Sequence, residues 1–319
     1  MERKLLYNKG TFRKECDIML KITRDYVHGI MQKEQAPVAE CNSGDTVIFE
    51  TRDCYNDTII PGPKQPKEGD PHYDNPATGP LFVKGAMPGD QLKVEILAID
   101  LAPQGVMRTS PTAGAFPHYF KDRYFRIFDI VDGDYVQFDE DLKLKLCPMI
   151  GVIGTAPEGE GVDTETPYDH GGNMDCNKIG VGTTLYLPVN TEGALLSMGD
   201  LHALMGDGEV LICGLEIAGE VTVRVTVLKD ELKVPTPFLV RDGKVMTVQS
   251  CDTLDEASIK AANAMMEFVT RATKLEPWKS GMLMSLLSDM AVCQIVDPKK
   301  TIRVEFPLEI LEHYGVQLP

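Results

Sequence analysis

The chain has 319 residues, of which 43% are hydrophobic and 25% are charged, and this is the composition of an ordinary globular protein. Its 32 basic and 48 acidic residues give a net charge of −16, which argues against nucleic acid as a partner because phosphate binding needs clustered Lys and Arg. No stretch approaches the ~18 uninterrupted apolar residues of a membrane-spanning helix, so no membrane partner is expected.

Cysteine usage and the first residues predict where the protein resides. The first ten residues contain no apolar run of the kind that signal peptides carry. Eight cysteines are spread along the chain without a C-x-x-C pair, so neither a zinc knuckle nor a redox pair is indicated. We interpret them as reduced core thiols, and the predicted location is the cytoplasm.

The chain up to about residue 250 has the pattern of a β protein, with short apolar or alternating runs between turn-forming residues. Predicted strands cover residues 46–51, 91–100, 183–189, 193–198, 209–217 and 220–228. Helical periodicity is scarce here, which favours an antiparallel sandwich or barrel over parallel winding. Residues 55–80 are rich in Pro, Gly, Asn and Asp and predict a long ordered loop, either functional or a plain surface excursion.

Helical patterns begin after this β region. Thr253 and Glu256 have the spacing of a capping box, and the apolar residues that follow predict a helix over 254–272. Pro277 predicts the start of a second helix over 278–290. We interpret its Trp278 and its methionines as core residues.

The last predicted elements complete the domain assignment. Strands over 292–296 and 301–306 flank a turn at 297–300, which is the pattern of a hairpin. The predicted fold is therefore mainly β, antiparallel and sandwich- or barrel-like, with a small C-terminal α/β subdomain. We place a β-rich catalytic domain at 1–248 and an α/β cap at 249–319.

The most informative stretch runs from residue 171 to residue 209, where two polar clusters flank an apolar segment. The first cluster is Gly171-Gly172-Asn173-Met174-Asp175, and the second contains Asp200, His202, Asp207 and Glu209. Asp200 and His202 are two residues apart, so on an extended strand their side chains share a face. Carboxylates and an imidazole among buried strands are unfavourable unless they bind a cation. The pattern therefore predicts a divalent metal site.

The predicted metal ligands are Asp53, Asp175, Asp200 and His202. Zinc accepts imidazole nitrogen and carboxylate oxygen, and a catalytic zinc keeps one position open for water. Calcium prefers oxygen alone, so we prefer zinc and keep calcium as the alternative. His170 ranks below His202 as a ligand, and Asp-Gly pairs are also common turn formers without a metal.

Three further residues are predicted to take part in catalysis. Glu209 is the predicted general base, with Asp207 as its alternative. Asn173 and the backbone N–H of Gly172 could hold a carbonyl oxygen as charge develops on it, although a plain turn explains Gly171 to Asn173 equally well.

Two rival hypotheses need no catalytic metal. Cys176 could serve as the nucleophile of a metal-free amidase, but its carboxylate neighbours would raise the pKa of the thiol and oppose this role. The other rival is a non-catalytic β-sandwich module in which the same carboxylates bind calcium.

Several motifs are shared with a known family. They lie at residues 49–54, 75–80, 83–90, 151–157, 171–175 and 199–209, and the last two, which contain Gly171-Gly172-Asn173-Met174-Asp175 and Gly206-Asp207-Gly208-Glu209, are unusual in combination. In these motifs the chain resembles the acetamidase/formamidase family. The C-terminal cap looks similar too, so the resemblance covers nearly the whole chain.

The resemblance implies hydrolysis of short aliphatic amides, such as formamide or acetamide, to carboxylate and ammonia. It also implies a β-rich, sandwich-like fold and a homo-oligomer, dimer or higher. Carried over by position, it places Asp53, Asp175, Asp200, His202 and Glu209 in the site. Two departures could alter substrate choice: Met205 stands where many relatives have glutamine, and residues 55–58 differ from the usual sequence.

Overall fold

The structure is a computed structural model that describes residues 19–62, 73–229 and 232–319. The first strands are β1 (Leu20–Ile22), β2 (Val27–His28), β3 (Ile30–Met31), β4 (Ala39–Cys41), β5 (Thr46–Thr51), β6 (Ala77–Val83) and β7 (Gln91–Arg108). The next are β8 (Phe125–Val131), β9 (Tyr135–Gln137), β10 (Lys143–Lys145), β11 (Met149–Gly154), β12 (Val162–Asp163) and β13 (Gly171–Asn173). The last are β14 (Thr184–Pro188), β15 (Leu196–His202), β16 (Glu216–Leu228), β17 (Phe238–Arg241), β18 (Lys244–Cys251), β19 (Asp289–Gln294) and β20 (Lys300–Pro307). The helices are α1 (Leu254–Thr273), α2 (Pro277–Leu287), α3 (Leu308–His313) and a 3₁₀ turn at Pro117–Tyr119.

The long strand β16 is the centre of the sheet. It pairs antiparallel with β7 along nearly its whole length and with β5 on its other edge. Val221, Val223 and Val225 alternate along β16 and are fully buried, whereas Arg224 between them is exposed. A strand with one wet face has this alternation, and its apolar face lies in the main core with Phe49.

The C-terminal helix α1 covers a second core. Its Ala261, Met265 and Phe268 pack with Phe238 and Phe306 from the strands β17 and β20. Fully burying a side chain as large as Phe268 stabilises the fold by roughly 1.5–3 kcal/mol. The paired strands β18 and β20 therefore provide the apolar surface on which α1 packs.

The fold class predicted from the sequence is confirmed, because most strand pairs are antiparallel and helices join strands at the C-terminal end. Only β1 with β5 and β4 with β6 pair in parallel among the described strands, and these strands form no closed barrel. The helix predicted over 254–272 is confirmed by α1, and the predicted hairpin is formed by β19 and β20. The division into domains after residue 248 stays a prediction.

Three local predictions were wrong. Residues 209–215 form turns and not the start of a strand, because backbone bonds tie Gly208 to the end of β19. The predicted loop over 55–80 ends earlier, since Ala77–Val83 is a strand, and residues 63–72 of this loop lie outside the described residues. Trp278 is not core, because 60% of its surface is exposed on α2.

Among the described residues, no helix combines the length and the apolar character needed to span a bilayer.

Candidate functional site: a buried carboxylate–imidazole cluster

The end of β15 carries two of the predicted ligands into the interior. His202 lies opposite Glu216 in the β15–β16 register, and its Nε2 is 3.0 Å from Glu216 Oε1. The same nitrogen is 3.5 Å from Asp200 Oδ1 and 3.8 Å from Asp175 Oδ1. His202 is only 1% exposed, so the contacts form away from solvent.

The neighbouring strands β11 and β13 supply Asp175 and the space for it. Asp175 follows β13, and its backbone N–H donates to the carbonyl of Gly151 on β11. A Cβ on Gly151 would lie 2.5 Å from Asp175 Oδ1 and 2.6 Å from Asp200 Oδ2. Only glycine at this position therefore leaves room for both carboxylates as they stand.

A turn and a hairpin complete the cluster. Gly208 N–H donates to the carbonyl of Cys293, and Ile295 N–H donates to the carbonyl of Gly208. These two bonds hold the Glu209 turn against the end of β19. The β19–β20 turn then brings Asp297 within reach of Asp175 and Glu209, since one oxygen of each lies within 4.8 Å of the other two.

The electrostatics of the cluster are those of crowded, buried acids. Burial, together with the charge of Asp200, raises the pKa of Asp175 to about 6. Burial also raises the pKa of Glu216 to about 8, and burial with Asp175 raises the pKa of Glu209 well above its usual value. Burial opposes protonation of His202, but Glu216 and Asp200 outweigh it and raise its pKa. Five acids crowded around one imidazole thus disfavour one another's charged forms unless a cation joins them.

Many oxygens of the cluster have no hydrogen-bond partner. Such atoms among the described residues are both carboxylate oxygens of Asp175, Asp200 Oδ1, Glu209 Oε2, Glu216 Oε2 and Asp297 Oδ2. Buried polar atoms are nearly always bonded, and leaving one unbonded costs about 1–3 kcal/mol. Several orphaned anionic oxygens at one point therefore indicate a place for a cation.

Ligand atoms meet at metal-binding spacing in four overlapping sets. They are Asp175, Asp200 and His202; His202, Glu209 and Glu216; Asp175, Glu209 and Asp297; and Cys54, Asp200 and Glu216. Within each set, the ligand atoms all lie within 4.8 Å of one another.

A cleft of about 390 Å³ opens onto the cluster. Asn173, Asp200, Glu209 and Glu216 line it, and Asn173 Oδ1 has no hydrogen-bond partner. Gly172 does not line the cleft. It lies opposite Ile153 with a φ of +83°, in a turn too tight for another side chain because a Cβ there would come 2.5 Å from the carbonyl of Thr166.

Three residues singled out in the sequence lie apart from these ligand sets. Asp53 is buried, but its Oδ1 accepts the backbone N–H groups of Tyr55 and Asp57 and so holds its own turn together. Asp207 faces Arg303, which donates to both of its carboxylate oxygens at 2.6 and 2.8 Å. His170 is buried elsewhere, and burial lowers its pKa to about 4.

The surroundings of Cys176 contain groups of both signs. A hydrogen bond from Cys293 and the charge of Arg303 lower the pKa of its thiol, whereas burial and the charge of Asp207 oppose the shift, and the net direction is downward. Its side chain is fully buried and does not line the cleft. The seven described cysteines are all free.

Two members of the cluster, Glu216 and Asp297, were not found from the sequence. Glu216 looks like any polar residue in a predicted strand, and only the register opposite His202 shows that it points inward. Asp297 belongs to an Asp-Pro pair in a predicted turn, where aspartate is common for local reasons. The one sequence feature that could have indicated Asp297 is its position in the turn between the two predicted strands of the C-terminal hairpin.

Comparison with known proteins places the chain in a family. Residues 158–247 match the profile of the Acetamidase/Formamidase family. The crystal structure of acetamidase from Bacillus halodurans is 46% identical over 93% of this chain and 100% of that chain, with a TM-score of 0.87. The chain belongs to the acetamidase/formamidase family. The crystal structure of a predicted acetamidase/formamidase from Thermoanaerobacter tengcongensis agrees, with 40% identity over 94% of this chain and 99% of that chain and a TM-score of 0.89.

Longer relatives of the family also match. The formamidase of Methylophilus methylotrophus is 29% identical over 218 residues, which are 51% of this chain and 53% of that protein. The chain thus matches about half the length of this curated relative.

Proposed function

We propose that the protein hydrolyses short aliphatic amides to carboxylate and ammonia, with a divalent cation held in the buried cluster. Family membership supports amide hydrolysis. The single observation that supports the cation is the set of buried carboxylate oxygens that have no hydrogen-bond partner around His202.

We assign His202, Asp175 and Asp200 as the residues that hold the cation, with Glu216 beside them. One imidazole with several carboxylates is a donor set that zinc accepts. Calcium prefers oxygen ligands alone, so it remains the second candidate. A bound cation would lower the pKa of water toward neutrality and polarise the amide carbonyl.

The residues of the cleft have separate roles in this proposal. Glu209 takes a proton from the attacking water and returns it to the departing nitrogen, and its side chain lines the cleft beside the ligands. Asn173 binds the amide group of the substrate through a side chain whose Oδ1 is unpaired in the structure. The reaction breaks the C–N bond, adds the elements of water and releases ammonia.

Ammonia release from formamide and acetamide tests the proposal. The purified protein is assayed as prepared, after a chelator, and after zinc or calcium is restored, with metal content measured each time. We expect activity that the chelator removes and zinc restores. Activity that resists the chelator but is lost on thiol alkylation would contradict the metal and favour Cys176 as nucleophile. Calcium content without turnover would favour a binding module.

Two further properties belong to this proposal. We place the protein in the cytoplasm, which the free cysteines support. We also propose a homo-oligomer, which is supported by the exposed apolar side chains on and just after α2. These are Trp278, Met282, Leu286 and Met290, with exposed fractions of 60%, 61%, 78% and 52%.

A further inference from the structure

The cleft that opens onto the carboxylate cluster also contains two arginines, Arg108 and Arg123. Neither of them forms an ion pair with a described acid. Four other arginines do pair with carboxylates: Arg24, Arg224, Arg241 and Arg303. In a chain with a net charge of −16, cations that face a cleft without a partner call for an explanation.

The position of Arg108 is fixed by aromatic packing. Its guanidinium carbon lies 5.7 Å from the centre of the Tyr55 ring, a cation–π contact. That ring packs edge-on against Phe125 at 5.8 Å, and both aromatic residues line the cleft. Arg108 is therefore held in place without using its hydrogen-bond donors.

Among the described residues, no acceptor for these donors is found. Arg108 Nε is buried and has no hydrogen-bond partner among the described residues. Burial raises the pKa of Glu165, and the charge of Arg108 opposes this increase, so one acid lies near Arg108 in the cleft. A guanidinium fork matches the two oxygens of a carboxylate better than any other common group.

The size of the cleft agrees with a substrate larger than the simplest amides. Its volume of about 390 Å³ lies in the range of sites that bind molecules with several functional groups. Formamide or acetamide at the cluster would leave the space beside Arg108 unfilled.

On the basis of the proposed amide hydrolysis, we propose that the preferred substrate is a primary amide with a carboxylate at its far end, bound there by Arg108. The amide end meets Glu209 and the cluster, and the carboxylate end meets the arginine. Hydrolysis breaks the C–N bond with one water and yields a dicarboxylate and ammonia. Tyr55 becomes a positioning residue, since it holds the guanidinium and not the substrate.

The test compares two amides of equal chain length. Glutaramate carries the carboxylate, and pentanamide has a methyl group in its place. We expect the wild-type protein to prefer glutaramate, and Arg108→Gln to lower kcat/KM for glutaramate by roughly 10- to 100-fold, mainly through KM. For pentanamide we expect a loss below about threefold, so the ratio of the two losses is the readout.

Arg126→Gln is the matched control, because it removes the same charge from the next strand. Arg126 contacts the rings of Phe128 and Phe138 and does not line the cleft. It should leave the ratio between the two amides unchanged. Arg108→Lys keeps the positive charge but loses the two parallel N–H donors of the guanidinium. It should retain part of the preference for glutaramate over pentanamide.

Failure of this inference differs from failure of the proposed function. If the wild-type protein has equal kcat/KM for the two amides, the carboxylate subsite is overturned, but amide hydrolysis is not. The same holds if Arg108→Gln lowers kcat/KM equally for both amides. If the zinc-loaded protein hydrolyses no amide, the proposed function fails. In that case glutarate binding by calorimetry decides about Arg108: binding that Arg108→Gln weakens supports the carboxylate subsite, and binding that it leaves unchanged overturns it.

Discussion

Three acids of the cluster lie on left-handed backbone, which is uncommon for any residue with a side chain. The φ angles are +41° at Asp175, +52° at Asp200 and +47° at Glu209. Such conformations cost free energy and persist where the surrounding structure holds them. Here the strands and the hairpin hold them, and the result is that side chains from three segments point at one another.

Glu209→Gln should separate catalysis from metal binding. The amide is close in size but cannot accept a proton, so we expect turnover to fall by at least about a hundredfold. Metal content should stay near that of the wild-type protein, because His202, Asp175 and Asp200 remain. The measurements are ammonia release and metal per chain.

Asp207→Asn serves as the control for this substitution. Asp207 pairs with Arg303 and does not line the cleft, so its loss should affect stability more than turnover. If Asp207→Asn removes turnover and Glu209→Gln keeps it, the base has been assigned to the wrong residue.

Gly151→Ala should displace the ligands. The added methyl group would lie within 2.6 Å of carboxylate oxygens of both Asp175 and Asp200, so both must move, and it would also lie 2.8 Å from the backbone carbonyl oxygen of Asp200. We expect metal affinity and turnover to fall by at least about tenfold, as they do when residues that orient ligands are changed. Metal titration measures the affinity, and circular dichroism checks the fold.

Gly159→Ala is the matched control for that change, because a Cβ there meets open space. It should leave metal affinity and turnover as they are. Wild-type metal affinity in Gly151→Ala would show that the two carboxylates do not hold the cation as proposed.

The sequence singled out those cluster residues that are close together along the chain. Asp175, Asp200, His202 and Glu209 fall within 35 residues, and the two-residue spacing of Asp200 and His202 indicated a common face for that pair. Glu216 and Asp297 were missed because their inward direction depends on pairing with β15 and on the fold of the hairpin. Strand register across a sheet cannot be inferred from one strand alone.

At the scale of elements, local signals predicted helix ends better than strand ends. The capping box at Thr253 and Glu256 forms as expected, and α1 begins at Leu254. The predicted strand over 209–217 failed in its first half, because Gly208 just before it bonds to Cys293 and Ile295 at the end of β19. A helix cap is a local contact, whereas these bonds join residues far apart in sequence.

Thr253→Ala should destabilise the protein through the N-terminus of α1. The Thr253 hydroxyl accepts a hydrogen bond from Glu256 N–H, and the Glu256 carboxylate accepts one from Thr253 N–H, which completes the box. We expect the free energy of unfolding to fall by about 1 kcal/mol in denaturant titrations.

Thr270→Ala is the control within the same helix, because its hydroxyl makes only a 3.9 Å contact with Met266 Sδ. We expect the free energy of unfolding of Thr270→Ala to stay within about 0.5 kcal/mol of the wild-type value. Equal losses in the two variants would mean that the cap contributes nothing of its own.

At the scale of the whole molecule, the cluster links stability to pH. Without a cation, the pKa values of Asp175, Glu216 and His202 are above those of the unfolded chain. The protonated carboxyl groups therefore make their full contribution to stability below about pH 4. This contribution is lost as the pH rises through the pKa of Asp175, about 6, and that of Glu216, about 8. A cation needs charged carboxylates and a neutral imidazole, so its stabilisation grows over the same interval.

We therefore expect the difference in Tm between the zinc-loaded and the metal-free protein to widen from about pH 5 to about pH 8. Thermal unfolding of both forms at several pH values measures it. Burial lowers the pKa values of His28 and His170, but these residues titrate in both forms and cancel in the difference. A constant or narrowing gap would count against a cation in the cluster.

The bonds between Gly208 and the end of β19 have a consequence for biosynthesis. Glu209 is synthesised some eighty residues before the hairpin against which its turn rests, and Asp297 arrives only with that hairpin. A chain still emerging from the ribosome can form the central strands early, but it cannot yet gather all of its acids. The part of the charge repulsion that Asp297 adds is thus postponed until nearly the whole chain is available to contain it.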